Sequence, residues 1–179
     1  PTVEVEVATA SGTIGRAIAP AGASTGSAEA VDLRDGGDAF AGYDVRKAVG
    51  SVENEIAAAL AGMDARDQTS IDRRLIDLDG TANKGRLGGN ALIATSMAIA
   101  HAAAAAEGVP LWRYLAGDDE PGLLPLPEIQ IFGGGAHAGR RVDLQDFMVI
   151  ATGAGDFATA LDWTAEVYIA AGKLMAERS

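Results

Sequence analysis

A chain of 179 residues, 48% of them hydrophobic, carries enough apolar surface to bury a sizeable core in one domain, or in one and part of another. Its formal net charge of −11 argues against nucleic acid as a partner, and an anionic ligand would need local cations, most simply divalent metal. The absence of cysteine excludes a disulfide framework and thiolate metal sites, and fits a reducing cytoplasm.

Residues 1–8 alternate apolar and polar, the period of a half-buried strand. The opening Pro1-Thr2-Val3-Glu4 lacks the basic region of a signal peptide. Ser11-Gly12-Thr13 reads as a turn, and a second strand from Ile14 to Ala19 completes a hairpin. Residues 20–43 are glycine-rich and irregular. Asp44 is placed to cap a helix running to about Leu60, with Val45, Val49, Val52 and Ile56 on one face. Asp67 caps the next, with Ile71, Leu75 and Leu78 inward. A third helix begins after Asn90 and ends at a C′ glycine, Gly108, and its alanine surface allows a neighbour to come close. The apolar run 91–106 is mostly alanine, carries Thr95, Ser96 and His101, and reads as too short and too weakly apolar to span a bilayer. Pro110 opens a short fourth helix through Leu115.

Composition shifts at Asp118-Asp119-Glu120-Pro121-Gly122, which divides the chain into domains 1–119 and 120–179. Strands are expected at about 124–132 and 142–151. Asp156 then caps a long amphipathic helix with Phe157, Leu161, Tyr168 and Met175 on its buried side. The chain opens inside a strand and stops on an uncapped helix, so both termini are expected to be cut edges of something longer.

Some motifs are look-alikes. Asp77-Leu78-Asp79-Gly80-Thr81 has the DxDGT form of a phosphatase nucleophile loop, but that chemistry follows a buried parallel strand. Asp72-Arg73-Arg74-Leu75-Ile76 cannot be buried on both faces, so the turn closing a helix is the better reading. No glycine segment has the form of a nucleotide-binding loop. His101 reads as a surface or packed histidine. Ser24-Thr25, by residue type alone, reads best as a turn or cap.

The richest segment is Phe132-Gly133-Gly134-Gly135-Ala136-His137-Ala138-Gly139, followed by Leu144-Gln145-Asp146-Phe147-Met148. Backbone without Cβ atoms lets a ligand approach closely. The imidazole, amide and carboxylate supplied here are groups that grip a polar anion or orient a proton donor.

Several spaced motifs in one order resemble the enolase (phosphopyruvate hydratase) family from end to end. They include Gly22-Ala23-Ser24-Thr25-Gly26, Leu33-Arg34-Asp35-Gly36, Leu78-Asp79-Gly80-Thr81, Asn83-Lys84-Gly85, Gly108-Val109-Pro110-Leu111 and Gly134-Gly135-Ala136-His137-Ala138. The resemblance implies an α+β capping domain, a strand meander plus helices that here lacks its first strand. The first two strands and first helix of a modified (β/α)8 barrel follow. It also implies a glycolytic Mg²⁺ lyase that dehydrates 2-phosphoglycerate to phosphoenolpyruvate, with two metal ions stabilising an enolate. The main metal carboxylates, the base lysine and the proton-donor glutamate would lie beyond Ser179, so the segment alone would be inactive.

Within the segment, the resemblance makes Gly22, Ala23, Ser24, Thr25 and Gly26 a mobile loop whose Ser24 ligates the second Mg²⁺. His137 would lie close to the substrate, Gln145 would contact it, and Asp146 would stand where the family has a glutamate assisting the leaving hydroxyl. Four positions depart from the family: Asp146 for Glu, Gly133 for Asn, Ala21 for a loop serine and Ala28 for a loop histidine. They keep open a paralogue acting on another phospho- or phosphono-hydroxyacid, and a non-catalytic interaction protein that retains the fold. A cytoplasmic homodimer or higher oligomer without a membrane span is the expected form.

Overall fold

The structure, a computed structural model, describes residues 1–22, 26–120 and 122–178. The chain divides into two compact units, Pro1–Glu120 and Pro121–Ser179.

In the first unit, β1 (Val3–Ala8) and β2 (Ile14–Ala19) form the expected antiparallel hairpin, with Val3 paired to Ala19 and Ala8 to Ile14. Its inner face presents Val3, Val5, Ala17 and Ala19, all buried. Glu4, Glu6 and Arg16 lie outward, where Arg16 pairs with both glutamates. Helix α4 (Gly89–Ala106) packs across this inner face. Ala94, Ala98 and Ala102 line the seam and are fully buried. The approach is close enough that a Cβ on Gly15 would sit 2.2 Å from both Ala102 N and Ala98 O. Only a glycine on the strand and alanines on the helix permit this spacing.

At 18 residues, α4 is long and apolar enough by length and composition to cross a membrane, contrary to the sequence expectation for this run. It is nonetheless 61% buried within its unit, as a core helix is. It also begins one residue before Asn90, at Gly89, and the buried Asn90 side chain bonds the backbone of Leu33. Its far end closes as expected at Gly108, where φ is +71°.

α1 (Arg46–Gly50), a π-turn (Ser51–Ile56) and α2 (Ala57–Leu60) run on as one helix. Asp44 does not cap it. The first amides of α1 are taken by Asp35, whose carboxylate accepts from Arg46 N at 3.0 Å and Lys47 N at 2.9 Å. Asp44 accepts instead from Val45 N and pairs with Arg46. The π-turn has a local cause. Ser51 Oγ donates to Lys47 O and Asn54 Nδ2 to Gly50 O, so side chains compete for carbonyls that an α-helix would use. The buried face is shifted in consequence. Val45, Ala48 and Ile56 are buried, while Val49 is exposed.

α3 (Gln68–Asp79) is capped by Asp67, which accepts from Ser70 N, and closed by Gly80 in the left-handed region. Ile71 and Leu75 are buried and Leu78 packs against the same core. α5 (Leu111–Ala116) follows Pro110.

In the second unit, β3 (Glu128–Gly133) and β4 (Asp146–Ile150) pair antiparallel and are shorter than expected. Pro125 and Pro127 have no N–H to give a ladder, which delays β3 to Glu128. α6 (Phe157–Arg178) is capped by Asp156, whose carboxylate accepts from Thr159 N and Oγ. Its buried side is not the one expected. Ala160 and Thr164 are buried, but Phe157, Leu161, Tyr168 and Met175 are exposed. A two-stranded hairpin covers only part of a 22-residue helix, and α6 packs against β3 and β4.

Asp79 belongs to this scaffold and not to a nucleophile loop. It is buried, accepting from Leu87 N at 2.8 Å, Thr81 N at 3.0 Å and the Thr81 hydroxyl. Burial pushes its carboxyl up. The bonds from the Thr81 hydroxyl, Leu87 N and Thr81 N, with the charge of Lys84, outweigh burial and hold it below the usual 3.8.

Two outcomes follow for stability. Gly15→Val should cost about 3 kcal/mol or more through overpacking, read from the shift of the urea midpoint with α4 still helical by circular dichroism. Asp79→Ala should cost about 1–3 kcal/mol at neutral pH by stranding buried donors. Because the folded value of Asp79 is depressed, its contribution is fully present above the unfolded value. It is lost as pH falls through the folded one. The wild-type and Asp79→Ala unfolding curves should therefore converge on acidification below pH 3.8.

Candidate functional site

The glycine run forms the mouth of the β3–β4 hairpin. Gly133 is paired with Asp146 at the last rung. Beyond it, Gly134 N donates to Gln145 O at 2.6 Å and Gly135 N to Val142 O at 2.9 Å, so the two chains stay joined where the ladder ends. A Cβ on Gly134 would fall 1.8 Å from Leu144 O, and Gly135 adopts φ +54° over the Gln145 side chain. Gly134 is therefore required by a backbone crossing at close range, and Gly135 by its left-handed conformation. A short 3₁₀ turn, Gly135–Ala138, then carries His137.

These elements bring three of the sequence-predicted residues to one end of one hairpin. His137 lies on the turn, and its Cβ is 3.6 Å from where a Cβ of Gly133 would be. Gln145 backs onto Gly135, with Cβ and Cγ at 3.7 and 3.8 Å from the corresponding Gly135 position. Asp146 opens β4 opposite Gly133 and is exposed. An imidazole, an amide and a carboxylate are thus displayed with glycine backbone between them, a set able to grip a polar anion and to accept or deliver a proton.

One residue of this group is not among those the sequence pointed to. Gln130, on β3, donates from Nε2 to Asp146 Oδ1 at 2.5 Å. In the sequence it is the polar member of Ile129-Gln130-Ile131, indistinguishable from any outward strand residue.

The other predicted group is the Gly22–Gly26 stretch. Ala23, Ser24 and Thr25 lie outside the described residues, and with them the predicted Ser24 ligand. Gly22 and Gly26 are described and exposed, as are Ala21 and Ala28. Gly26 N donates to Glu29 Oε1 at 2.7 Å. Further on, the segment is fastened to the start of α4. Val31 N donates to Asn83 O, Gly89 N to Val31 O, and Asn90 bonds both the N–H and the carbonyl of Leu33 at 3.2 Å. A Cβ on Gly88 would strike Leu33 Cβ at 2.7 Å and Asn90 Oδ1 at 2.6 Å. Arg34 adds bonds to Pro1 O and Tyr43 O.

Among the described residues no three His, Cys, Asp or Glu side chains come together as a metal site. A cavity of about 660 Å³ belongs to the first unit, between the β1 edge and residues 52–66. Its lining is mostly apolar, with Val5, Val7, Ile56, Leu60 and Ile99, and it contains none of the predicted site residues.

Two family models match the chain. Residues 1–115 match the enolase N-terminal domain, and residues 121–179 match the enolase C-terminal TIM barrel domain.

Gly134→Ala tests whether glycine holds the hairpin mouth together. The new Cβ has to displace Leu144 and break the Gly134–Gln145 bond. Amide exchange at Gly134 and Gly135 should accelerate by at least about tenfold while β1–β2 amides are unchanged.

Proposed function

This chain belongs to the enolase family, and we propose that the intact protein that carries it is a Mg²⁺-dependent lyase. It would convert 2-phosphoglycerate to phosphoenolpyruvate, losing a proton beside the carboxylate and a hydroxyl as water. The domains present are the enolase N-terminal domain and the start of the C-terminal barrel domain, an enolase-type lyase at family level.

The observation that carries the reading is the match of both domains, in order, along one chain. The hairpin mouth adds support, since His137, Gln145 and Asp146 share one end of β3–β4. In the proposal the His137 ring and the Gln145 amide hold the polar substrate, and Asp146 assists departure of the hydroxyl by taking part in its protonation. Mg²⁺, when bound, supplies charge stabilisation of the enolate. The main carboxylate ligands of the ion would come from outside the described residues, among which no three His, Cys, Asp or Glu side chains come together. Ser24 is the one residue of the segment assigned to the ion, by resemblance alone. A cytoplasmic, glycolytic homodimer or higher oligomer belongs to the same proposal and rests on family membership alone.

A second reading is favoured by one feature of the mouth. Gly133 and Asp146, both departures from the family, are paired directly across β3–β4. That places the change where substrate would be sensed, and suits a related phospho- or phosphono-hydroxyacid.

The test is turnover by the full-length protein with each substrate, with and without EDTA. EDTA-sensitive formation of phosphoenolpyruvate is expected, with kcat reduced by about 10²-fold or more in Asp146→Ala. Turnover confined to another hydroxyacid would replace the first reading by the second. No turnover of either would overturn both.

A further inference from the structure

Two of the family departures, Gly133 and Asp146, belong to a single arrangement whose third member is Gln130. The strand register shows why they meet. Glu128, Ile129 and Gln130 pair with Ile150, Val149 and Met148. The register then shifts by one, so that Phe132 pairs with Phe147 and Gly133 with Asp146. The extra residue is Ile131, a β-bulge. Paired residues point to the same face, and residues two apart on a strand do as well. Gln130 therefore shares a face with Met148, and so with Asp146. Without the bulge Phe132 would lie opposite Asp146. With it, Phe132 turns to the other face, where it meets Phe147 edge to face at 6.5 Å, and Gly133 takes the position beside the carboxylate.

Glycine at that position leaves room, and the Gln130 amide uses it. A Cβ on residue 133 would stand 3.2 Å from Gln130 Nε2 and 3.6 Å from His137 Cβ. Through this gap Nε2 reaches Asp146 Oδ1 at 2.5 Å. The aspartate carboxylate stands on a single methylene. It stays close to its own strand and within reach of the amide. The same Nε2 also donates to Phe132 O at 3.4 Å, which holds the amide over the mouth. With Oδ1 engaged, Oδ2 is left for whatever occupies the mouth.

We propose that Gln130 is a positioning residue for Asp146, and that Gly133 is glycine so that the Gln130 amide has space to reach it. The effect on turnover rests on the proposed role of Asp146, whereas the contact itself does not.

The test moves a methylene from one side chain to the other in the full-length protein. Gln130→Asn shortens the donor and Asp146→Glu lengthens the acceptor. Each alone should lower kcat roughly tenfold with KM within about twofold, since orientation and not binding is lost. The double variant should recover to within about threefold of the parent. Additive losses, or losses carried by KM, would overturn the positioning role. A second readout needs no turnover. With ¹⁵N-glutamine labelling, the side-chain amide signals of Gln130 should shift in Asp146→Ala and in Gly133→Ala, and those of Gln145 should serve as the internal comparison. Unmoved Gln130 signals would overturn the contact. Failure of the parent to turn over any hydroxyacid, with the Gln130 signals shifting as expected, would count against the lyase reading and leave the arrangement standing.

Discussion

Helix α4 lies against β2 with backbone nearly touching backbone, since a side chain on Gly15 would occupy the same space as the main chain of Ala98 and Ala102. Alanine buries little area per residue, so a seam of this kind gains its stability from density of contact. The valines of β1 and the larger side chains Ile56, Ile71 and Leu87 complete the core around it. The consequence extends beyond packing. With α4 fixed along the hairpin, its first residues are fixed too, and these hold the backbone of residues 31–33 through Gly89 and Asn90. The stretch after Gly26 therefore has one end tied to the most closely packed part of the unit.

The sequence was legible where cause and effect lie within a few residues. Alternation along residues 1–8, the caps at Asp67 and Asp156, and the left-handed Gly108 all act over one turn, and each appears in the structure. Asp44 and Val49 depart from expectation for two different reasons, one distant in sequence and one local. The amides of α1 are served by Asp35, eleven residues upstream of Arg46, which only the fold brings near. The face of that helix is shifted by a π-turn that depends on how Ser51 and Asn54 choose their acceptors. For α6, amphipathicity says that the helix has a side to bury, and says nothing about how much surface its neighbours provide.

The candidate site divides in the same way. A glycine run next to His137, Gln145 and Asp146 marks itself, because consecutive glycines are poor core-builders and here permit contacts of backbone with backbone. Gln130 does not mark itself. Its part depends on a bulge at Ile131, and a bulge leaves no trace in a short apolar strand whose every second residue could face either way. Register is the quantity that converts a list of residues into a site, and it is set by pairing across the hairpin rather than by either strand.

Asp79 and Asp146 show how a carboxylate becomes structural or available. Both stand in motifs suggestive of chemistry. Asp79 has Oδ1 taken by the amide and hydroxyl of Thr81 and Oδ2 by the amide of Leu87, and it is buried. Its lone pairs are committed to the turn, and although burial raises its proton affinity, those donors and the charge of Lys84 bring it below the usual value. Such a group cannot exchange a proton without breaking the turn it closes. Asp146 is exposed and takes one donor, from a side chain, on one oxygen. A single bond is enough to orient a carboxylate and leaves it able to accept another. The distinction does not reside in the motif, since Asp-Leu-Asp-Gly-Thr looks the more chemical of the two. It resides in how many donors the fold delivers to each carboxylate, three at Asp79 and one at Asp146.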